Sequence, residues 1–297
     1  MNGLRPASLG YKPQPFALPA RWVLLLAVAL GVLVASTRAA EPKRLLIIGQ
    51  GPDGHPPGTH EFMPGARIVE RLLKPFPTVQ ATIVRADEPW ADGPALLDKA
   101  DGVVLLVTQG AQFMQMNPAR HEAFKRLAAR KGGLVALHWS VGAKDEKYIQ
   151  GQLELLGGTR GGTQRKYKVL ETDVTVASPQ HPVASGLRNF RVHDEFYYRL
   201  DLQRGAPGFT PLLTARVEDN DEVACWAWQR PDGGRSFGYV GIHFHIHWGR
   251  EDYQRLVTQG VLWTLDQPIP KDGVKVGVEP EVLAIKQSEN PVKPAKK

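Results

Sequence analysis

The sequence predicts an α/β protein. Short apolar runs alternate with helical periods through residues 43–160, and one run, Gly102 to Val107, is apolar throughout, as strands covered on both faces are. The runs also stop at Gly-rich or polar loops that open helices, the pattern of parallel strands joined by right-handed crossovers. Arg44 to Gly49 is the first strand, followed by a Gly/Pro-rich loop from Gln50 to Thr59. A helix is expected from about His60 to Leu73, with Phe62, Ala66, Val69, Leu72 and Leu73 as its apolar face. Gln80 to Val84 and Gly102 to Val107 are further strands. Asn117-Pro118 gives a cap and first-turn proline for a helix to about Arg130. Gly132-Gly133 ends that helix, Leu134 to Leu137 is the fourth strand, and residues 145–157 read as helix.

The second half is richer in β-structure. Lys168 to Ala177, Phe190 to Leu202, Thr210 to Val217 and Glu222 to Gln229 read as extended. Pro231-Asp232-Gly233-Gly234 signals a hairpin turn, with Ser236 to Ile242 as the return strand. Asp252 to Leu265 is an amphipathic helix. Residues 268–297 form a Pro-, Lys- and Glu-bearing tail with little to bury, expected to be disordered from about Lys286.

Residues 1–39 read as a signal peptide. A basic stretch (Arg5, Lys12, Arg21) precedes the apolar run Trp22 to Ala35, and Thr37-Arg38-Ala39 is a small-residue cleavage site. That run is shorter than the roughly 20 apolar residues of a membrane span, although an uncleaved anchor is the alternative. A periplasmic or secreted protein is expected, with no lipid-bearing Cys near the cleavage site. Four of the 37 Lys and Arg lie in this segment, which holds no acid, so 33 basic residues face 30 acidic ones beyond it. That balance and the lack of a basic stripe argue against a nucleic-acid partner. The single cysteine, Cys225, is expected to be a buried thiol inside a strand.

The residues that carry chemistry gather after strands, where α/β sheets bind ligands. Gly241 to Trp248 places three of the nine histidines at alternate positions. An extended chain would put His243, His245 and His247 on one face and Phe244, Ile246 and Trp248 on the other. The loop after the first strand carries His55, His60 and Glu61, with no GxGxxG or Walker A pattern and hence no implied nucleotide. His138 and Trp139 follow the fourth strand, without the G-x-S-x-G elbow of a serine hydrolase. Asp194 and Glu195 must face opposite ways in a strand, and Tyr197 shares the Glu195 face.

Taken together, Gly-His-Pro-Pro-Gly-Thr-His-Glu-Phe (54–62), Gly-Gly-Leu-Val-Ala-Leu-His (132–138), His181-Pro182, Asp194-Glu195-Phe196-Tyr197, Gly241-Ile242-His243-Phe244-His245 with Trp248, and Gly260-Val261-Leu262-Trp263 resemble the ThuA-like, or trehalose-utilisation, family over about residues 43–267. The resemblance implies a flavodoxin-like, class I glutamine amidotransferase-like three-layer sandwich with a mainly parallel sheet. It implies a role in disaccharide and keto-sugar metabolism. The amidotransferase nucleophile is a Cys at the elbow where this chain has His138, so glutamine hydrolysis is not expected. His247 departs from the small or amide residue expected there.

Three functions stay open. The first is an exported carbohydrate-active enzyme with His60, His138, Glu195, His243 and His245 in acid–base roles. In that reading His55, Glu61, Trp139, Tyr197 and Trp248 contact a small-molecule carbohydrate. The second is a metal-dependent hydrolase or isomerase using the same imidazoles on a divalent ion such as zinc. The third is a non-catalytic carbohydrate-binding or scaffold module.

Overall fold

The computed structural model describes residues 41–163, 165–286 and 289, with Gly3 and Gly10 as isolated positions. The expected signal segment and the end of the tail therefore lie outside the described residues. Among the described residues no helix is long and apolar enough to cross a membrane.

The strands in chain order are β1 (Lys43–Gly49), β2 (Val79–Arg85), β3 (Gly102–Leu106), β4 (Gly133–Leu137), β5 (Gly142–Ala143), β6 (Gly158–Gly161), β7 (Lys166–Val176), β8 (Phe190–Tyr198), β9 (Asp201–Leu202), β10 (Phe209–Val217), β11 (Asn220–Gln229) and β12 (Arg235–Tyr239). Nine of them form one sheet in the order β2-β1-β3-β4-β12-β11-β10-β7-β8, and β5, β6 and β9 form a small second one. The sheet is mixed rather than mainly parallel. From β2 to β12 neighbours run parallel, and from β12 to β8 they run antiparallel. The physical reason is the connections. β10 and β11 are joined by Glu218-Asp219, both at positive φ (48° and 63°), and β11 and β12 by the Pro231–Gly234 turn. Loops that short return the chain alongside itself and permit only antiparallel neighbours.

Alternation along the parallel strands builds a core on each face. Leu45 and Ile47 join the cluster that includes Phe62, Ile68 and Val69 of the helix Phe62–Leu73 and Leu256, Val257 and Val261 of the helix Glu251–Thr264. Leu46 and Ile48 point the other way, to Leu97, Phe113, Phe124 and Leu127. Those side chains come from the helices Gly93–Lys99, Gly110–Gln115 and Pro118–Ala129. The Asn117 side chain accepts from the Arg120 N–H, as its cap position predicts. Two of these helices, Gly93–Lys99 and Gly110–Gln115, are too short to show helical periodicity in sequence. Cys225 is fully buried in β11.

Two segments depart from expectation in ways that shape the site. The extended stretch from Phe190 breaks at Arg199, which sits at φ 54°. β7 pairs with β10 only through Val174–Val176 but with β8 from Lys166 to Val174, so the β7–β8 hairpin projects beyond the sheet. The tail also packs more than its composition suggests. Val274 is buried, and its N–H donates to Gln259 Oε1 at 2.9 Å. Arg67 donates to the carbonyls of Val282 and Ala284, and Arg71 pairs with Glu279.

His181 caps the turn Pro182–Ala184 by accepting the Val183 N–H at 3.2 Å on Nδ1. Burial, with Arg235 nearby, pushes its pKa down to about 4. Below an unfolded-state value near 6.5 the unfolded chain takes the proton first, so this contribution is complete above about pH 6.5 and is lost as pH falls toward 4. His181→Asn keeps a capping acceptor but cannot titrate. Between pH 7 and 4.5 the wild type should lose about 1–2 kcal/mol more stability than the variant in urea unfolding; parallel losses would refute this assignment.

Candidate active site

Three chain segments leave the sheet at the carboxyl ends of the parallel strands β1, β4 and β12 and converge. The loop after β1 carries His60. It is zipped to the segment after β12 by His60 N–H to His243 O (3.2 Å), His245 N–H to Gly58 O (2.8 Å) and the Thr59–Phe244 bridge. His138 is the first residue after β4. Because β12 runs parallel to β4 with Tyr239 level with Leu137, Val240 emerges beside His138, and His138 Nδ1 lies 2.7 Å from Val240 O.

The imidazoles meet nitrogen to nitrogen. His60 Nε2 and His138 Nε2 are 2.9 Å apart, His138 Nε2 and His243 Nδ1 3.1 Å, and His243 Nδ1 and His60 Nε2 3.0 Å. Their outer atoms decide the protonation. His60 Nδ1 faces Asp53 Oδ2 at 2.6 Å and His138 Nδ1 faces a carbonyl, so each of these nitrogens donates. The neutral rings then present bare lone pairs at both Nε2 atoms. Burial pulls all three rings below the ordinary histidine value: His60 despite Asp53, His138 well below, and His243 to about 4. Protonation therefore does not relieve the crowding at neutral pH.

Glu195 and Tyr197 arrive from the projecting β8 arm. Glu195 Oε1 lies 3.6 Å from His138 Nε2 and 3.8 Å from His243 Nδ1. Burial raises the Glu195 carboxyl to about 6, with Arg160 pulling the other way. The Tyr197 hydroxyl is 3.1 Å from His138 Nε2, and the two rings stack. His60, His138, His243 and Glu195 offer ligand atoms all within 4.8 Å of one another. The nitrogen triangle is small enough for all three rings to reach one ion at about 2.0–2.1 Å.

Asp53, which the sequence reading did not single out, orients two histidines: Oδ2 holds His60, and Oδ1 holds His55 Nδ1 at 2.8 Å. Burial alone would raise its pKa, but His60 and His55 outweigh this and hold it at about 2. A carboxylate behind a ligand-type imidazole is a recurrent device for fixing the tautomer. Its one sequence signal was its place two residues before His55. Backbone strain marks the same segments. His60 and His138 both sit at φ 51°, and Ile242, a β-branched residue, at φ 73°.

Outside the cluster, a cleft of about 310 Å³ opens over His60, His55, Glu195 and Tyr197. Trp139, half-buried, lines its wall together with Lys144, Arg160, Arg165 and Tyr167.

Three residues expected at the site, His245, Trp248 and Glu61, are placed elsewhere or have another task, and His247 also lies apart. His245 points to the tail, with Nε2 2.8 Å from Leu283 O. His247 Nε2 instead meets His193 O at 2.9 Å. The alternation fails because β12 ends at Tyr239 and His245–Gly249 coil into a 3-10 turn. Trp248 is buried against Gly65 in the core and offers no face to a sugar. Glu61 accepts the Gly58 N–H at 2.7 Å and clamps the loop. Among the described residues its Oε2 and His245 Nδ1 have no hydrogen-bond partner, and both residues line a cavity of about 20 Å³, room for one water.

Fold and site together define an α/β protein with a polar, imidazole-rich centre beyond the carboxyl ends of its parallel strands. The chain belongs to the ThuA (trehalose utilisation) family, whose profile matches residues 56–264. A ThuA-like protein from Bacteroides uniformis shares the fold, with a TM-score of 0.57 at 16% identity over 77% of this chain and 94% of that one. The cold-adapted beta-galactosidase of Rahnella sp. R3 aligns with a TM-score of 0.51 at 14% identity, over 84% of this chain but 35% of that one. No curated protein matches the sequence.

The carboxylate of Asp194, fully buried, holds the His243 turn. It accepts from the N–H groups of Ile242 (2.8 Å), His243 (3.2 Å) and Glu195 (2.8 Å) and from the Tyr253 hydroxyl (3.0 Å). All four partners are donors, so Asp194→Asn sets an amide NH₂ against a donor. It should cost about 2–3 kcal/mol in urea unfolding, against about 1 kcal/mol for Tyr253→Phe. Equal effects would show that the carboxylate does not anchor this turn.

Proposed function

We propose that this chain is an exported carbohydrate-active enzyme whose centre holds a divalent cation, zinc or one of similar size, through His60, His138 and His243. The observation that carries the metal is the 2.9 Å contact between His60 Nε2 and His138 Nε2. Both nitrogens are lone-pair ends, and a shared cation turns that repulsion into binding. When bound, such an ion polarises a carbonyl or acidifies a water.

The surrounding residues support carbohydrate chemistry. Glu195 stands between the imidazoles and the cleft with its pKa raised to about 6, suited to taking a proton from a substrate carbon or hydroxyl near neutral pH. The Tyr197 hydroxyl stands at the floor, 3.1 Å from His138 Nε2, and Trp139 and Tyr167 offer ring faces to the apolar side of a sugar. Membership of a family described by trehalose utilisation supports a sugar or keto-sugar substrate. The apolar run and cleavage pattern in residues 1–39 support export. Glutamine hydrolysis is not part of this reading, because His138 occupies the turn after β4 and Cys225 is buried within the sheet. The raised pKa of Glu195 favours, as a second reading, acid–base catalysis by Glu195 and the imidazoles without an ion.

Elemental analysis separates the two readings. The purified chain should bind about one zinc, manganese or nickel ion per molecule. His60→Ala and His138→Ala should weaken this binding at least about tenfold to a hundredfold, as loss of a ligand or its support does. His245→Ala should leave it unchanged. A wild-type protein that takes up none of these ions would leave the acid–base reading alone.

A further inference from the structure

We infer that the cleft is built for a sugar bearing an anionic group, a carboxylate or a phosphate, and that Arg160 binds that group. The inference rests on the carbohydrate reading above and narrows it to acidic sugars. Neutral disaccharides have no group that needs the wall described next.

Arg160 is held in β6 and is 9% exposed, with its side chain lining the cleft. Its guanidinium carbon lies 4.2 Å from the centre of the Tyr197 ring and 5.4 Å from that of Tyr167. Those contacts cover the faces of the guanidinium and leave its N–H edge to be satisfied. Among the described residues Nε is buried without a hydrogen-bond partner, and the side chain forms no ion pair. A buried guanidinium in that state is costly unless a further acceptor arrives.

The molecule supplies its own comparison. Among the described residues two other arginines are as deeply buried, Arg120 and Arg230. Arg120 pairs with Glu88 at 2.7 Å. Arg230 pairs with Asp232 at 3.1 Å and also donates to Gly132 O, Arg235 O and Ser236 Oγ. Of the three, Arg160 alone lacks a carboxylate at ion-pair distance among the described residues, and it lines the cleft.

Its neighbours reinforce the sign. Lys144 and Arg165 line the same cleft, and Glu195 is the only carboxylate among the described residues that line it. Lys144 Nζ stands 5.5 Å from the centre of the Trp139 ring, and Arg165 spends one N–H on Gly162 O at 2.7 Å. Three cations against one carboxylate leave an excess positive charge at the wall. A guanidinium edge matches an oxyanion bidentately, which a hydroxyl cannot do. A sugar whose anionic group lies on Arg160 would stack on Trp139 and place its other end towards Glu195 and the imidazoles.

Calorimetric titration of the intact, metal-supplemented chain with D-glucuronate, D-glucose 6-phosphate and D-glucose tests this. At least one acidic sugar should bind about tenfold or more tightly than D-glucose, and the preference should shrink with added salt. Preference for glucuronate alone identifies a carboxylate, and for the phosphate alone a phosphate. Arg160→Gln should abolish the preference and Arg160→Lys should keep part of it. If Arg160→Gln does not fold by circular dichroism, the Lys144→Ala/Arg165→Ala variant should still weaken acidic-sugar binding severalfold more than D-glucose binding. Equal binding of all three sugars, no binding of either acidic sugar, or a preference untouched in the folded variants overturns the inference. Metal content of the same samples separates the two proposals: an ion without anion preference sinks only this one, and anion preference without an ion sinks only the metal.

Discussion

The parallel pairing of β12 with β4 is the constraint on which the site depends. With Tyr239 level with Leu137, the next residues, Val240 and His138, must emerge side by side. The Val240 carbonyl then accepts a hydrogen bond from His138 Nδ1–H and fixes which nitrogen faces inward. The turn after Val240 brings His243 back, and the loop after β1, zipped to that turn, delivers His60. Parallel strands all release their chains at one end of the sheet, which is why residues 78 and 105 positions apart from His138 share one point with it.

That convergence is unfavourable in itself and is held by what surrounds it. Three imidazoles are buried nitrogen to nitrogen, the Nε2 lone pairs of His60 and His138 facing each other, and His60, His138 and Ile242 sit in left-handed backbone conformations. Asp53 fixes His60 from behind, and Asp194, with four donors around it, locks the His243 turn. Two core faces packed against the same central strands keep those strands from shifting to relieve the strain. Buried polar crowding that a fold goes to this length to maintain is characteristic of functional sites. The antiparallel half adds the remaining pieces, because the β7–β8 arm carries Glu195 and Tyr197 over the end of the parallel sheet.

Much of this was legible in the sequence. The apolar runs at Leu45–Ile48, Val103–Leu106 and Leu134–Leu137 announced doubly covered strands, and the Asn117-Pro118 pair announced a helix start. His60, His138 and His243 were recognisable because each follows a strand where α/β sites form, and Glu195 because it sits in a motif that resembles the family's. The errors have a common origin. His245, expected beside His243, turns away, because alternation orients side chains only while the backbone stays extended, and here it coils. Trp248 and Glu61 carry suitable side chains, but core packing and a loop hydrogen bond claim them. Asp53 and Arg160 escaped notice because an isolated Asp in a loop and an isolated Arg after a glycine-rich turn carry no periodic or spacing signal.

The sequence by itself determined the α/β class, the strands and the set of imidazoles available, because hydrophobic period, turn chemistry and residue type are local properties. Which imidazoles meet, which nitrogen each turns inward and which arginine is left unpaired were decided only by tertiary structure. Those outcomes depend on strand order and register, which bring together residues far apart in the chain.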